Sequence, residues 1–134
     1  MTDKFRTSRG WRNNNPLNIR RGEQWSGLCA RQTDRVFCQF LTMSFGYRAA
    51  VKCLKSYARL FAQQGREWTV ENVIRRWAPP NENDTEAYLA RVLQLMGRSP
   101  GDTCMAPLWT HQGVVQAAQM VAAMKFQQAS VRPR

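Results

Sequence analysis

Phe45-Gly46-Tyr47-Arg48-Ala49-Ala50-Val51-Lys52-Cys53-Leu54-Lys55-Ser56-Tyr57-Ala58-Arg59-Leu60-Phe61-Ala62-Gln63-Gln64-Gly65 carries a helical period. Tyr47, Ala50, Val51, Leu54, Tyr57, Ala58 and Phe61 recur every three or four residues, so they share one face of an amphipathic helix that stops near Gly65. Downstream the pattern repeats in shorter pieces. Thr69 is placed to cap a helix with the stripe Val70, Val73, Ile74 and Trp77, which Ala78-Pro79-Pro80 ends by removing a donor and restricting the residue before it. Asn83 or Asp84 caps the next helix, with Glu86 in its first turn, an inward face of Tyr88, Leu89, Val92, Leu95 and Met96, and Gly97 as its close. A last helix is expected from about Pro107 to Gln127, with Val114, Ala118, Val121 and Met124 as its stripe.

Upstream the reading changes. Residues 1–12 form a basic arm, and Arg12-Asn13-Asn14-Asn15-Pro16-Leu17-Asn18-Ile19-Arg20 is dense in turn formers. Val36, Cys38 and Phe40 alternate with Phe37, Gln39 and Leu41, which suits a strand apolar on both faces. A partner at Trp25 to Ala30, joined through Thr33-Asp34, makes a small β-hairpin. The fold class is therefore α+β, mostly helical: four helices and one hairpin in a single domain over 1–134, with flexible basic ends at 1–8 and 129–134.

Composition narrows the function. The chain of 134 residues is 43% hydrophobic, enough for a core and too much for a disordered tail. Twenty Lys plus Arg against nine Asp plus Glu give a net charge of +11, which points to polyanionic partners: nucleic acid, anionic lipid or a cell-wall polymer. No apolar run approaches the ~18 residues of a membrane span, and the first residues lack the apolar stretch of a secretory signal. Synthesis as a soluble protein in the cytosol is expected.

Cys29, Cys38, Cys53 and Cys104 contain no C-x-x-C pair, and His111 is the only histidine, so neither a structural zinc site nor another metal or cofactor is expected. Free buried thiols are one reading of the cysteines, and a disulfide such as Cys29 with Cys38 is the other. With His111 as the one available base, a Ser-His-Asp triad is disfavoured and a Cys-His pair is arithmetically open.

Carboxylates are left as the proton-transfer candidates. Glu67, Glu71, Asp84 and Glu86 sit at helix starts, where the macrodipole favours negative charge. Three others resist dismissal. Glu82 lies in Trp77-Ala78-Pro79-Pro80-Asn81-Glu82-Asn83, where apolar rings would raise a carboxyl pKa as a general acid requires; the same residue could pair with Arg75 or Arg76. Glu23, flanked by Arg20 and Arg21, reads as an ion pair, and Asp34 sits at the hairpin turn, where Asp commonly satisfies backbone donors. Asn13, Asn14, Asn15 and Asn18, with Trp11 and Trp25, offer amides beside flat apolar faces, a set that suits a saccharide and that turn structure alone also explains.

Taken in order, Arg9 to Arg20, Trp25-Ser26-Gly27, Gln32 to Phe40, Phe45 to Ala49, and Arg76 to Thr85 with Tyr88 and Val92 resemble the phage and prophage lysozyme-like virion proteins, which are themselves similar to lytic transglycosylases. The Asn-Asn-Pro-Leu-Asn-Ile-Arg segment is also similar to a segment of bacterial glucosaminidases. The resemblance covers roughly residues 9–97 and implies a lysozyme-like fold. It further implies peptidoglycan as the substrate, cleaved at the β-1,4 bond after N-acetylmuramic acid, and action at the cell wall or in a virion.

On that reading Glu82 is the acid, with Asp34 or Glu23 as a second carboxylate if the enzyme is a hydrolase, in which the pair stands ~5–9.5 Å apart. Asn13, Asn14, Asn15, Asn18, Arg20, Trp25, Trp77, Asn83 and Tyr88 would bind substrate. The chain departs from its relatives in two places. Only Asp3 among the residues before Asn13 is acidic, where glucosaminidases carry their glutamate, and Met124 to Gln128 lacks the acid of a Glu-Asn-Gly-like stretch. The alternatives are therefore an inactive glycan-binding or virion-interaction domain, or a nucleic-acid binder whose Arg6, Arg9, Arg12, Arg20 and Arg21 track phosphates while Trp11 stacks on a base.

Overall fold

The computed structural model describes residues 8–81 and 84–125, and these are mostly helical. Five helices follow in order: α1 (Arg9–Arg12), α2 (Met43–Gln63), α3 (Val70–Trp77), α4 (Thr85–Leu95) and α5 (His111–Lys125). Each start has a sequence cause. Thr42 caps α2 by accepting from the Phe45 N–H, Thr69 caps α3 by accepting from Asn72, and Asp84 caps α4 by accepting from Ala87. The Thr110 hydroxyl accepts from the Gly113 N–H at the start of α5.

The stripes of α2 and α3 lie where their spacing places them. Ala50, Leu54 and Phe61 of α2 and Val70, Val73, Ile74 and Trp77 of α3 are buried in one core with Val92, Met120 and Val121. Fully burying each larger side chain stabilises the fold by roughly 1.5–3 kcal/mol. Within this core α2 packs on α5, α3 on α4, and α4 on α5.

Four expectations are corrected. In α4 the buried partner of Val92 is Leu93, and Leu95 is exposed. In α5 the buried face is Ala117, Met120, Val121, Ala123 and Met124, whereas Val114 is exposed. Gly113 sets that rotation: a Cβ there would lie 1.8 Å from the Pro107 carbonyl oxygen, so the helix meets the preceding loop backbone to backbone. Residues 9–12, read as part of an arm, form a helical turn capped by Ser8, whose hydroxyl accepts from Trp11. The remaining residues expected in the basic ends, and the last helix beyond Lys125, lie outside the described residues.

The hairpin is the fourth of these. In place of a regular ladder there are isolated antiparallel bridges, Leu28 with Phe40 and Arg20 with Phe37. Two side-chain amides explain why. Gln32 Nε2 donates to the carbonyls of Cys29 and Gln39, while Gln32 Oε1 accepts from the Gln39 N–H. Gln39 Oε1 in turn accepts from the N–H groups of Thr33 and Asp34. These bonds satisfy backbone groups that a ladder would otherwise pair. Residues 36–41 are then shared between two partners: Cys38 donates to the Ile19 carbonyl, and Leu41 donates to the Gly27 carbonyl. Four free cysteines accompany this arrangement, so Cys29 and Cys38 are not bridged.

Candidate functional site

The turn from Asn13 to Arg20 and the segment from Thr33 to Phe40 lock together around one carboxylate. Asp34, whose side chain is 8% exposed, accepts from Arg9 Nε and from the second Arg9 nitrogen at 2.7 Å each. It also accepts from Asn13 Nδ2 at 2.9 Å, the Val36 N–H at 2.9 Å and the Phe37 N–H at 3.0 Å. The Arg9 guanidinium, helped by these neutral donors and opposed by burial, holds the Asp34 carboxyl well below the usual carboxylate range. A carboxylate saturated by five donors is a fixed anion and a poor proton acceptor. Its geometry is that of a clamp joining α1, the asparagine turn and the 34–37 corner.

The asparagines are spent in the same way. Asn15 is fully buried; its Nδ2 donates to the carbonyls of Ile19 and Cys38, and its Oδ1 accepts from the Ile19 N–H. Asn13 Oδ1 accepts from Gln39 Nε2 at 3.2 Å, and Asn14 Nδ2 donates to the Phe40 carbonyl at 3.0 Å. Asn14 and Asn18 hold positive φ of 52° and 51°, the left-handed conformation that Asn tolerates better than most residues. Of the proposed saccharide contacts, Asn13, Asn15 and Asn18 are buried, and the turn reading accounts for the bonds of Asn13, Asn14 and Asn15.

Trp77 and Tyr88 also lie in the core. The Tyr88 hydroxyl donates to the Met124 carbonyl at 3.4 Å, and burial pushes its phenol well above the usual value. Trp25 is half-buried against Cys38, Phe40 and Ala49. Arg20 is exposed, with its guanidinium 5.6 Å from the Phe37 ring centroid, and Arg9 lies 4.7 Å from the same centroid. Glu82 and Asn83 lie outside the described residues. Just before them, Ala78 is fully buried, and its carbonyl accepts from the Thr85 hydroxyl, which ties the two ends of that loop together.

The acids sort by partner. Glu71 and Glu86 both pair with Arg75, Asp102 pairs with Arg98, and Asp84 caps α4. Among the described residues, Glu23 and Glu67 are the two acids with neither an ion pair nor a capping role, and both are exposed, so the expected pairing of Glu23 with its arginines is not seen. Glu67, which by sequence reads as a helix-start acid, lines a groove of about 390 Å3 with Trp68, Met105 and Trp109. Trp109 is 88% exposed there. The Glu67-Trp68 dipeptide is the one signal in the sequence that could have marked it.

A second groove, open and about 580 Å3, is lined by Arg9, Arg12, Asn13, Thr33, Arg35 and Gln39, with Asp34 in its wall. It is built from the same segments that carry the resemblance. Among the described residues there is no group of three His, Cys, Asp or Glu that could hold a metal, and no helix is long and apolar enough to cross a membrane.

No family model matches the chain. It is similar to Protein P5 of Pseudoalteromonas phage PM2, 43% identical over 94 residues, a match that covers 67% of this chain and 56% of that protein. The chain thus matches little more than half the length of this phage relative.

Proposed function

We propose that the chain is a phage-type, lysozyme-like protein directed at the bacterial cell wall, where it cleaves the peptidoglycan glycan strand with Glu82 as general acid. The observation that carries the reading is that Arg9, Arg12 and Asn13 of one resembling segment and Thr33 to Val36 with Gln39 of another converge on one open polar groove. The likeness to a phage protein supports the setting. A single acid is sufficient for a lytic transglycosylase. It protonates the leaving glycosidic oxygen and then, as a base, takes the proton of the muramyl 6-hydroxyl while that oxygen closes the anhydro ring. This route suits a chain in which Asp34 is already saturated, because a hydrolase of the usual kind needs a second carboxylate.

The exposed Glu67 favours one variation, in which the acid belongs to the tryptophan groove. The test is incubation of sacculi with wild type, Glu82→Gln and Glu67→Gln, with the released muropeptides identified by mass spectrometry. Anhydromuramyl products that fall at least a hundredfold in Glu82→Gln and persist in Glu67→Gln are the expected result. The opposite pattern moves the acid to Glu67. No products from folded wild type between pH 4.5 and 8 would leave an inactive glycan-binding or virion-interaction domain.

A further inference from the structure

Residues 9–35 contain six arginines, no lysine and only two acids, Glu23 and Asp34. The fold draws five of these arginines around a single corner. Arg9 and Arg20 lie over Phe37, Arg21 donates to the Asp34 carbonyl at 3.2 Å, and Arg12 and Arg35 line the open groove beside Arg9. Asp34 is consumed by Arg9, and Glu23 forms no ion pair among the described residues. The corner therefore keeps an excess of positive charge over an open groove. Trp11, 39% exposed on α1, stands next in sequence to Arg12.

From this we infer a second ligand for the groove on which the glycan reading also rests: the α1–groove corner binds the phosphate backbone of a nucleic acid. The choice of residue decides between polyanions. Sixteen of the twenty basic residues of the chain are arginine. The planar guanidinium fork matches phosphate oxygens in pairs and stacks on flat rings, whereas lysine offers only a point charge. The indole of Trp11, next in sequence to the groove-lining Arg12, adds an aromatic ring of the kind on which unpaired bases stack. Peptidoglycan presents sparser carboxylates and no aromatic bases, so it leaves this combination unexplained. Recognition would be independent of sequence, because phosphate contacts position a partner without reading it.

The test uses the full chain and a fluorescein-labelled 20-nucleotide single strand, with affinity measured from 50 to 300 mM NaCl. For three or four phosphate contacts, log K falls against log salt with a slope of about −2 to −3. Arg12→Glu with Arg35→Glu, which leaves the Arg9–Asp34 clamp intact, should weaken binding at least tenfold and flatten that slope. Arg91→Glu on α4 should change affinity by less than twofold. Trp11→Ala should weaken single-strand binding more than duplex binding. The inference is overturned by no binding at 50 mM NaCl, or by equal loss in Arg91→Glu and the Arg12/Arg35 pair. It is also overturned by tighter binding to polyglutamate or to phosphatidylglycerol vesicles than to the oligonucleotide. Muropeptide release is read separately, so failure of either activity leaves the other standing.

Discussion

Arg9 and Asp34, 25 residues apart in the chain, meet in a two-pronged ion pair with both nitrogen–oxygen distances at 2.7 Å. The pair closes α1 against the corner that carries Val36 and Phe37. Arg9 is largely exposed while Asp34 is covered, so the carboxylate is the member whose loss matters. Fixed anions of this kind stabilise through the donors they satisfy, because each of those donors is orphaned when the anion goes.

Asp34→Asn should lower stability by about 2 kcal/mol at pH 7, since a neutral amide keeps the shape and loses the charge-assisted bonds. The pH dependence has a definite sign. Asp34 titrates lower in the folded chain than its unfolded value of about 3.9, so its contribution is present above that pH and is lost progressively as pH falls below it. Urea unfolding of wild type and Asp34→Asn at pH 7, 4, 3 and 2 should show the gap between them narrowing below pH 4. A gap that stays constant down to pH 2 would show that the ionised carboxylate contributes nothing.

Gly46 mounts α2 on the asparagine turn. A Cβ at this position would lie 1.9 Å from the Asn14 carbonyl oxygen and 2.8 Å from Pro16 Cδ. The first of these is backbone, so relief requires moving the helix. Gly46→Ala should cost about 3 kcal/mol in urea denaturation, at the upper end for overpacking. Gly65, with φ of 68° and open space around it, isolates the conformational term, and Gly65→Ala should cost only about 1 kcal/mol. Equal costs at the two sites would mean that the α2–turn contact is looser than its geometry.

The cysteines should separate by reaction rate. Burial pushes the Cys53 thiol up to about 11 and raises Cys38, while Cys104 is exposed. The thiolate is the reactive species, so a disulfide reagent at pH 8 should modify Cys104 at least tenfold faster than Cys38 or Cys53. Mass spectrometry of the partly labelled chain assigns the sites. Cys104→Ser should remove the fast phase; a fast phase that remains would place another thiol at the surface.

The sequence by itself determined the existence of α2, α3, α4 and α5, though not of the short α1. Thr42, Thr69 and Asp84 cap them, Gly65 and Pro79-Pro80 lie past two of their ends, and the stripes of α2 and α3 needed only local period and turn chemistry. Periodicity was weaker for α5, which is rich in alanine and has apolar residues around more of its circumference, so Val114 passed for a core position until the approach of Gly113 to Pro107 set the rotation. Tertiary structure alone decided the corner around Asp34. Its turn is legible in Thr33-Asp34, but Arg9 arrives from a segment whose composition reads as a basic arm, and Gln32 and Gln39 replace ladder bonds that the alternating pattern predicts. It also decided the fate of the asparagines: amides that look suited to a sugar are the ones best able to satisfy buried backbone groups, and burial is set by what packs over them, which no local pattern records.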